Sequence, residues 1–124
     1  MRAHFILYVQ NQGASAAFYR VVLGAEPTLD VPGMTEFTLS DGVVLGLMPE
    51  AGIARLLADT FAPARPGGFR AELYLVVSDP AAFHARALAT GARELSALAP
   101  RDWGADVAYV LDPDGYVLAF AGGA

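Results

Sequence analysis

The chain has 124 residues, the size of one domain, and two independent domains of half that length would each have too little core. Hydrophobic residues make up 55% of it and charged residues only 17%, so we expect apolar surface to be buried between the subunits of a homodimer, or else in a monomer with a large core or an apolar ligand cup. The net charge of −5, without a cluster of basic residues, argues against nucleic acid as a partner, and the absence of cysteine excludes disulfides and thiolate metal sites.

The first half of the chain predicts one helix and several strands. Residues 5–9 are a β-branched and aromatic run that is typical of a strand. Asn11 is a favoured N-cap residue, apolar residues follow it at helical spacing, and Gly24 is the residue that would end this helix. Asp41-Gly42 predicts a tight hairpin turn. The remaining strands of this half are predicted near residues 27–31, 36–39 and 43–48.

The second half predicts the same order of elements after a linker. Residues 52–58 allow a short helix, and the prolines and glycines of residues 63–68 predict an irregular connection. A strand is predicted over residues 71–77. Asp79, followed by proline, predicts the start of a second helix, which Gly91 would end. The last strands are predicted near residues 93–95, 107–111 and 116–121, with a turn over residues 112–115.

Two short motifs occur in both halves in the same order. Asp41-Gly42 and the apolar residues after it return at Asp114-Gly115, and the Ala-Ala-Phe that precedes Tyr19 returns before His84. We therefore predict a single domain over residues 1–124 that contains two βαβββ repeats, over about residues 1–50 and 70–124, joined by a linker over about residues 51–69.

Two further expectations follow from the repeat. The second half needs a short net insertion relative to the first, and we predict that a loop from Ser96 to Ala105 holds it. Tyr19 and His84 occupy the same place in the two helices, each next to an apolar phenylalanine, and we expect both on the helix surface.

Polar side chains occupy only one face of the strand that opens each half. Because side chains alternate between the two faces of a strand, His4 and Tyr8 share a face in the first half, and Glu72 and Tyr74 share one in the second. We expect His4 to match Glu72 in the repeat, and Tyr8 to match Tyr74. Each tyrosine could offer its hydroxyl to a ligand or simply pack in the core.

The strands that close each half have small residues on the corresponding face. Gly46 and Ala119 stand there, opposite bulky neighbours on the other face, and Met48 could line either the cup or the core. The bulky faces should pack on the helices. The faces with small residues would then line a concavity that admits a ligand.

Taken together, these residues resemble the vicinal oxygen chelate superfamily. That group contains glyoxalase I, extradiol dioxygenases, methylmalonyl-CoA epimerase and the bleomycin and fosfomycin resistance proteins. The resemblance depends on the tandem βαβββ units, the first-strand histidine and the DPDGYVL turn and strand that starts at Asp112. It implies an α+β fold in which two βαβββ modules form a curved mixed sheet around a cup, with helices on the outer face.

The resemblance also implies where a metal would bind. In metal-using members the ligands stand on the first and last strands of each module. Carried over to this chain, those positions are His4, Gly46, Glu72 and Ala119. Only the first and third of these have a donor, whereas a divalent metal usually needs three or four protein ligands. Glu36 and Glu50 are the acidic residues of the first half that could substitute.

One candidate residue lies outside the strands. Trp103 lies in a predicted loop, where it could stack on a planar ligand, cover a dimer edge or plug the core. Arg101 beside it could hold an anionic group, or be solvated like most loop arginines.

Three functions remain open at this point. The first is a metal-free protein that binds an apolar or aromatic small molecule, in which Tyr8, Tyr74 and Trp103 supply contact area and His4 and Glu72 hydrogen-bond a polar or cationic group. The second is an enzyme with one divalent metal ion, a glyoxalase-like lyase or isomerase or a dioxygenase, in which His4 and Glu72 are the surviving ligands. The third is an interaction module whose cup is filled by its own side chains. The sequence shows neither a secretory signal nor a membrane span, so we expect a cytoplasmic protein without a membrane partner.

Overall fold

The computed structural model describes residues 1–57 and 70–123, which form helices and strands in the order βαβββ, α, βαβββ. The elements in chain order are β1 (Ala3–Val9), α1 (Gln12–Leu23), β2 (Leu29–Val31), β3 (Met34–Ser40), β4 (Val43–Pro49), α2 (Glu50–Leu57), β5 (Glu72–Val76), α3 (Pro80–Ala89), β6 (Glu94–Pro100), β7 (Ala105–Leu111) and β8 (Val117–Gly123). The predicted α+β fold with two tandem βαβββ modules is confirmed. The predicted irregular linker over residues 63–68 lies outside the described residues.

The chain divides into two compact units, one for each repeat. The described residues of unit 1 are 1–20 and 24–57, and those of unit 2 are 21–23 and 70–123. Each unit has one four-stranded mixed sheet, with the strand order β1-β4-β3-β2 in unit 1 and β5-β8-β7-β6 in unit 2. In both sheets the first and last strands of the repeat pair in parallel and the other neighbours pair antiparallel. That the whole chain is a single domain stays a prediction.

The helix ends follow the local signals in the sequence. The Asn11 side chain accepts a hydrogen bond from the backbone N–H of Ala14, and Gly24 ends α1 with a left-handed φ of 63°. In the same way the Asp79 side chain accepts from the N–H of Ala82 at the start of α3. Each cap satisfies a backbone group that the helix leaves without a partner.

The turn before β8 explains why its motif contains two aspartates and a glycine. One carboxylate oxygen of Asp112 accepts hydrogen bonds from the backbone N–H groups of Asp114 and Tyr116. Gly115 has a φ of 85°, which residues with a side chain rarely adopt. The motif therefore encodes a turn whose carboxylate, although buried, is fully used in shaping the backbone.

The prediction that Tyr19 lies on the helix surface is wrong. Its side chain is fully buried, with the ring edge-on to Phe18 at a centroid distance of 5.0 Å and tilted against Phe37 of β3 at 6.4 Å. The buried face of α1 is wide enough to include two adjacent positions, which a narrow amphipathic stripe would not allow. Its buried residues are Ser15, Ala16, Phe18, Tyr19 and Val22.

The corresponding prediction for His84 is also wrong. Only 13% of the side chain is exposed, and Nε2 lies 2.9 Å from Oε2 of Glu94 on β6, although the alignment is not that of a hydrogen bond. Next to it, the ring of Phe83 packs on Phe120 of β8 at a centroid distance of 5.7 Å. The helix α3 therefore rests on its sheet through both positions.

The predicted loop from Ser96 to Ala105 is largely a strand and a tight turn. Strand β6 continues to Pro100 and β7 begins at Ala105, so only residues 101–104 connect them. The pairing of β6 with β7 shifts register twice, once between Glu94 and Ser96 and again between Ser96 and Ala99. These β-bulges take up extra residues within the sheet, a possibility that hydrophobic alternation alone does not show.

Within the described ranges, no helix combines the length and the apolar character that a membrane crossing would require.

Candidate functional site

Four of the predicted site residues lie on one face of the sheet in unit 1. Direct partners in neighbouring strands, and alternate residues along a strand, share a face. The pairs of β1 and β4 on this face are His4 with Val44, Ile6 with Gly46, and Tyr8 with Met48. Strand β3 adds Glu36, the direct partner of Gly46 on the other side. Glu36 was predicted only as a substitute ligand, and Ile6, which the alternation of β1 places on this face, was not predicted as a site residue.

The side chain of His4 makes a polar contact with Glu36. The His4 Nδ1 and Glu36 Oε2 atoms are 3.5 Å apart, with 35% of the histidine side chain and 18% of the glutamate side chain exposed. Within unit 1, the acidic partner of His4 is therefore Glu36 from β3. A carboxylate that has lost most of its water and has one loose partner retains capacity to accept a hydrogen bond from a ligand.

The side chain of Ile6 fills the space above Gly46. A Cβ atom built at position 46 would lie 2.4 Å from Cδ1 of Ile6 and 3.2 Å from Sδ of Met34. A side chain at position 46 would therefore fit only after the ends of the Ile6 and Met34 side chains moved aside. No ligand group can stand at position 46 while Ile6 keeps this position.

The corresponding face in unit 2 carries aromatic groups. Glu72 lies opposite Val117, and Ala119 lies between Tyr74 on β5 and Tyr109 on β7. Ala119 itself is fully buried. It belongs to a cluster with Ala105, Val107 and Ala121, against which Tyr109 packs. Tyr109 takes the place that Glu36 has in unit 1, so extending the repeat comparison to the third strand of each module would have found both residues.

The register corrects one match between the repeats. His4 and Glu72 do correspond, since each lies opposite the equivalent valine of the last strand. Tyr74 corresponds to Ile6, because these two are the partners of Ala119 and Gly46, and it does not correspond to Tyr8. Tyr8 and Tyr74 lie on corresponding faces of their own sheets, but at different positions along the strand.

Trp103 and Tyr74 form a hydrogen-bonded pair of exposed rings. The indole Nε1–H donates to the Tyr74 hydroxyl at 2.9 Å, and the two residues are 58% and 38% exposed. Trp103 belongs to the turn between β6 and β7, which is closed by hydrogen bonds from the N–H of Arg101 to the carbonyl of Ala105 and from the N–H of Gly104 to that of Arg101. The alternative that Trp103 plugs the core is excluded by its exposure.

Arg101 ties this turn to the bulged part of the sheet. Its guanidinium donates to the carbonyls of Ala97 and Val107 and to the hydroxyl of Ser96 at 2.8–3.2 Å, and it lies 5.2 Å from the centre of the Tyr109 ring. Arg101 thus gives hydrogen bonds to one backbone carbonyl on each of the two strands that the turn connects. Arg101 is therefore not a solvated loop residue, and its guanidinium is used mainly for these contacts within the protein and not for binding an anionic group.

The surroundings of Tyr109 hold its hydroxyl in the protonated form. Burial raises the pKa of Tyr109 above its ordinary value, the Glu72 carboxylate raises it further, and Arg101 opposes this. The phenol is thus a hydrogen-bond donor on the face that also carries Glu72 and Tyr74.

We expect this shift to make stability depend on Tyr109 in alkali. A phenol with a raised pKa in the folded state stabilises the fold below the unfolded pKa of about 10, and the contribution is lost as the pH rises through the higher folded value. Tyr109→Phe should therefore lose less stability than the wild type between pH 9 and pH 11.5, as measured by urea unfolding at the two pH values. An equal loss in both proteins would contradict the assignment.

Unit 1 has an open crevice of about 540 Å³ at the hairpin end of the same face. Val44 and Thr38, two of its lining residues, are paired with each other across β3 and β4, and Val44 is also the partner of His4. Among the described residues its lining is Met1, Arg2, Thr38, Asp41, Gly42 and Val44. The crevice therefore reaches Val44, the strand partner of His4.

The donor set does not fit a divalent metal. In unit 1 the third position next to His4 and Glu36 is taken by Ile6, and in unit 2 the strand partners of Ala119 beside Glu72 are tyrosines. Across residues 1–57 and 70–123, no three His, Asp or Glu side chains form a group that could hold a metal ion. Catalytic zinc sites use three such ligands and keep one position open.

The fold is shared with several solved structures. The chain is similar to a glyoxalase-related enzyme from Fulvimarina pelagi, with 24% identity, a TM-score of 0.83 and coverage of 99% of this chain and 88% of that one. A glyoxalase/bleomycin resistance protein/dioxygenase family enzyme from Burkholderia phytofirmans PsJN is 18% identical, with a TM-score of 0.81 and coverage of 96% and 95%. Protein ATC0852 from Agrobacterium tumefaciens is 28% identical, with a TM-score of 0.77 and coverage of 100% and 98%.

Comparison with curated proteins gives no match. The family model described as Glyoxalase/Bleomycin resistance protein/Dioxygenase superfamily matches residues 2–120, which is nearly the whole chain. The tandem βαβββ units and the DPDGYVL turn, which carried the resemblance in the sequence, both lie within this match. The chain belongs to the Glyoxalase/Bleomycin resistance protein/Dioxygenase superfamily.

Proposed function

We propose that the protein binds an organic small molecule with an aromatic or apolar part, and that it does so without a metal. The observation that carries this proposal is the pair of exposed rings of Trp103 and Tyr74, joined by a hydrogen bond beside the exposed carboxylate of Glu72. Neighbouring exposed apolar side chains that form a patch often mark a binding site, whereas isolated ones do not.

The rings are held in place before any ligand arrives. Trp103 lies in a turn closed by two backbone hydrogen bonds and anchored by Arg101, and its indole N–H is occupied by Tyr74. Because little side-chain freedom is left to lose, a planar ligand that stacks on these rings keeps most of its contact energy. Removing apolar area from water supplies the main driving force.

Each unit has polar groups on its own sheet face that could orient a ligand bound there. Glu72 can accept hydrogen bonds from a polar or cationic group, and Tyr109 can donate one. In unit 1, His4 and Glu36 offer an imidazole and a carboxylate on the face that also carries Tyr8 and Met48. On the sheet face of unit 1 we assign His4, Tyr8, Gly46 and Met48 to ligand binding, and on the sheet face of unit 2 we assign Glu72, Tyr74, Trp103 and Ala119. Gly46 and Ala119 are buried, so they would act as the small residues beneath the side chains that contact a ligand. The mechanism is sequestration of the bound compound.

Ligand binding is testable through Trp103, the single tryptophan of the chain. Its indole N–H gives one resonance in a ¹H–¹⁵N spectrum, and we expect that resonance to shift in a saturable way on titration with quinoline, which is neutral at pH 7, or with the N-methylquinolinium cation. Tighter binding of the cation would support a role for Glu72. The affinity should be the same in the presence of EDTA.

Two variants and one control sharpen this experiment. Trp103→Ala, followed by calorimetry, should reduce affinity at least about tenfold, and Tyr74→Phe should reduce it less because it removes only the hydroxyl that fixes the indole. Leu88→Ala removes a partly exposed apolar side chain of the same unit and should leave affinity unchanged. Loss of binding on addition of EDTA would instead favour the alternative, a metal-dependent lyase, isomerase or dioxygenase of the same superfamily.

We further propose that the protein is a cytoplasmic homodimer. The outer strands of the two sheets carry exposed apolar side chains, with Phe5 on β1 58% exposed and Val76 on β5 68% exposed. Light scattering during gel filtration should give twice the chain mass of 13.0 kDa. Val76→Glu should raise the dimer dissociation constant at least about tenfold, whereas Leu88→Glu should not. The mass of a single chain at all concentrations up to 200 μM would contradict the dimer.

A further inference from the structure

Gly46 and Ala119 stand at equivalent places in the two repeats, and each has a first-strand residue as its direct partner. Ile6 of β1 is the partner of Gly46, and Tyr74 of β5 is the partner of Ala119. The contact at Gly46 is tight, because Cδ1 of Ile6 lies 2.4 Å from where a Cβ would stand. A neighbour at that distance must move before any side chain fits.

Two side chains that could donate to a metal already lie close together beside Gly46. Glu36 is the direct partner of Gly46 on β3, and His4 is one level away on β1. The tips of these two side chains approach to 3.5 Å across β4. Direct partners in neighbouring strands have Cβ atoms about 5 Å apart and diagonal neighbours about 7–8 Å apart, so a donor at position 46 would stand beside Glu36 and within side-chain reach of His4.

We propose that Ile6 is the specificity-determining residue of this face. By filling the space above Gly46, it prevents a third donor from joining His4 and Glu36, keeps a metal ion out, and leaves the pair to hydrogen-bond an organic ligand. The inference depends on the metal-free part of the proposed function and adds the residue responsible for it.

A histidine at position 46 would complete a known type of zinc ligand set with His4 and Glu36. Two imidazoles and one carboxylate are a set that binds zinc in proteins, and each of these side chains reaches the metal with a nitrogen or an oxygen atom. His4 and Glu36 supply one imidazole and the carboxylate. Ile6→Ala together with Gly46→His would supply the second imidazole and the space for it.

The experiment is a calorimetric titration of tag-free protein with ZnCl₂ at pH 7.5. We expect the double variant Ile6→Ala/Gly46→His to bind one Zn²⁺ per chain at least about tenfold more tightly than the wild type or Gly46→His alone. Adding His4→Ala to the double variant should abolish this gain. A folded double variant without the gain, or equally tight binding by Gly46→His alone, would overturn the proposal.

A second measurement keeps the proposal testable if the histidine variants fail to fold. Gly46→Ala adds only the Cβ, and we expect it to lower the melting temperature by about 3–8 °C in the wild type, because Ile6 and Met34 must move. In the Ile6→Ala background the same change should cause less than half of that loss, because only the 3.2 Å contact with Sδ of Met34 remains. An equal loss in both backgrounds would show that Ile6 is not the obstacle.

The outcomes separate this inference from the function on which it depends. Specific binding of Zn²⁺ to the wild-type chain would contradict both the inference and the metal-free proposal. Failure of the double variant to bind Zn²⁺, with the tryptophan resonance of the wild type still shifting on titration with the quinoline probes in EDTA, would contradict the inference alone.

Discussion

Replacing Arg101 with alanine is expected to lower the free energy of unfolding by about 2–4 kcal/mol and to weaken ligand binding at the same time. The guanidinium donates to two backbone carbonyls and to the Ser96 hydroxyl, and it also lies against the ring of Tyr109. Without it, the part-buried carbonyl of Val107, the exposed carbonyl of Ala97 and the Ser96 hydroxyl lose these hydrogen bonds. The turn that carries Trp103 then loses its anchor to the sheet.

Urea unfolding followed by circular dichroism measures the stability change, and the indole resonance measures the binding. Arg93→Ala is the matched control, since that arginine is exposed near the start of β6, and it should change stability by less than about 0.5 kcal/mol. Arg101→Lys should lie between the two, because an ammonium group lacks the planar fork of a guanidinium. A loss in Arg101→Ala no greater than in Arg93→Ala would contradict this role.

Leu118→Ala is expected to cost about 3–5 kcal/mol, which is a large part of the stability of a domain of this size. The side chain is fully buried on β8, with Leu73 and Val110 as its direct partners on the neighbouring strands. Its removal takes away apolar contacts and leaves a cavity that β-sheet neighbours on both sides cannot easily close.

The matched control is Leu56→Ala, because Leu56 is 72% exposed on α2. It should change the free energy of unfolding by less than about 1 kcal/mol in the same urea experiment. If the two leucine variants had equal stability, the assignment of Leu118 to the core of unit 2 would be contradicted.

The two repeats use one topology for two kinds of surface. Both sheets place a small residue of the last strand between the first and third strands of the repeat. In unit 1 the neighbours of that residue are Ile6 and Glu36, whereas in unit 2 they are Tyr74 and Tyr109. The repeat therefore preserves the backbone and its register, while the residues at the centre of each face set whether it is polar or aromatic.

Features that depend on neighbouring residues in the chain were predictable from the sequence. The caps at Asn11 and Asp79, the end of α1 at Gly24 and the turn at Gly115 are all present as predicted, because each depends on a side chain or a φ angle within a few residues. The order βαβββ in each half followed from these signals together with the alternation of the strands. Membership of the superfamily could be inferred from the same features.

The contacts that define the candidate site were less predictable. The contact of His4 with Glu36, the match of Tyr74 with Ile6, and the pair of Tyr74 with Trp103 each join residues from different strands or from a strand and a turn. Such contacts depend on the register between strands, and a shift of one residue would move every side chain to the other face.

By itself, the amino-acid sequence determined the secondary structure order, the repeat, the family and the faces on which His4 and Glu72 stand, because local propensity and two-residue alternation act within short segments. Only the tertiary structure decided that Ile6 covers Gly46, that β6 continues with bulges into the predicted loop, that Tyr19 is buried and that His84 is mostly covered. These features arise where distant segments pack at close range, and close packing depends on the shape and register of both partners.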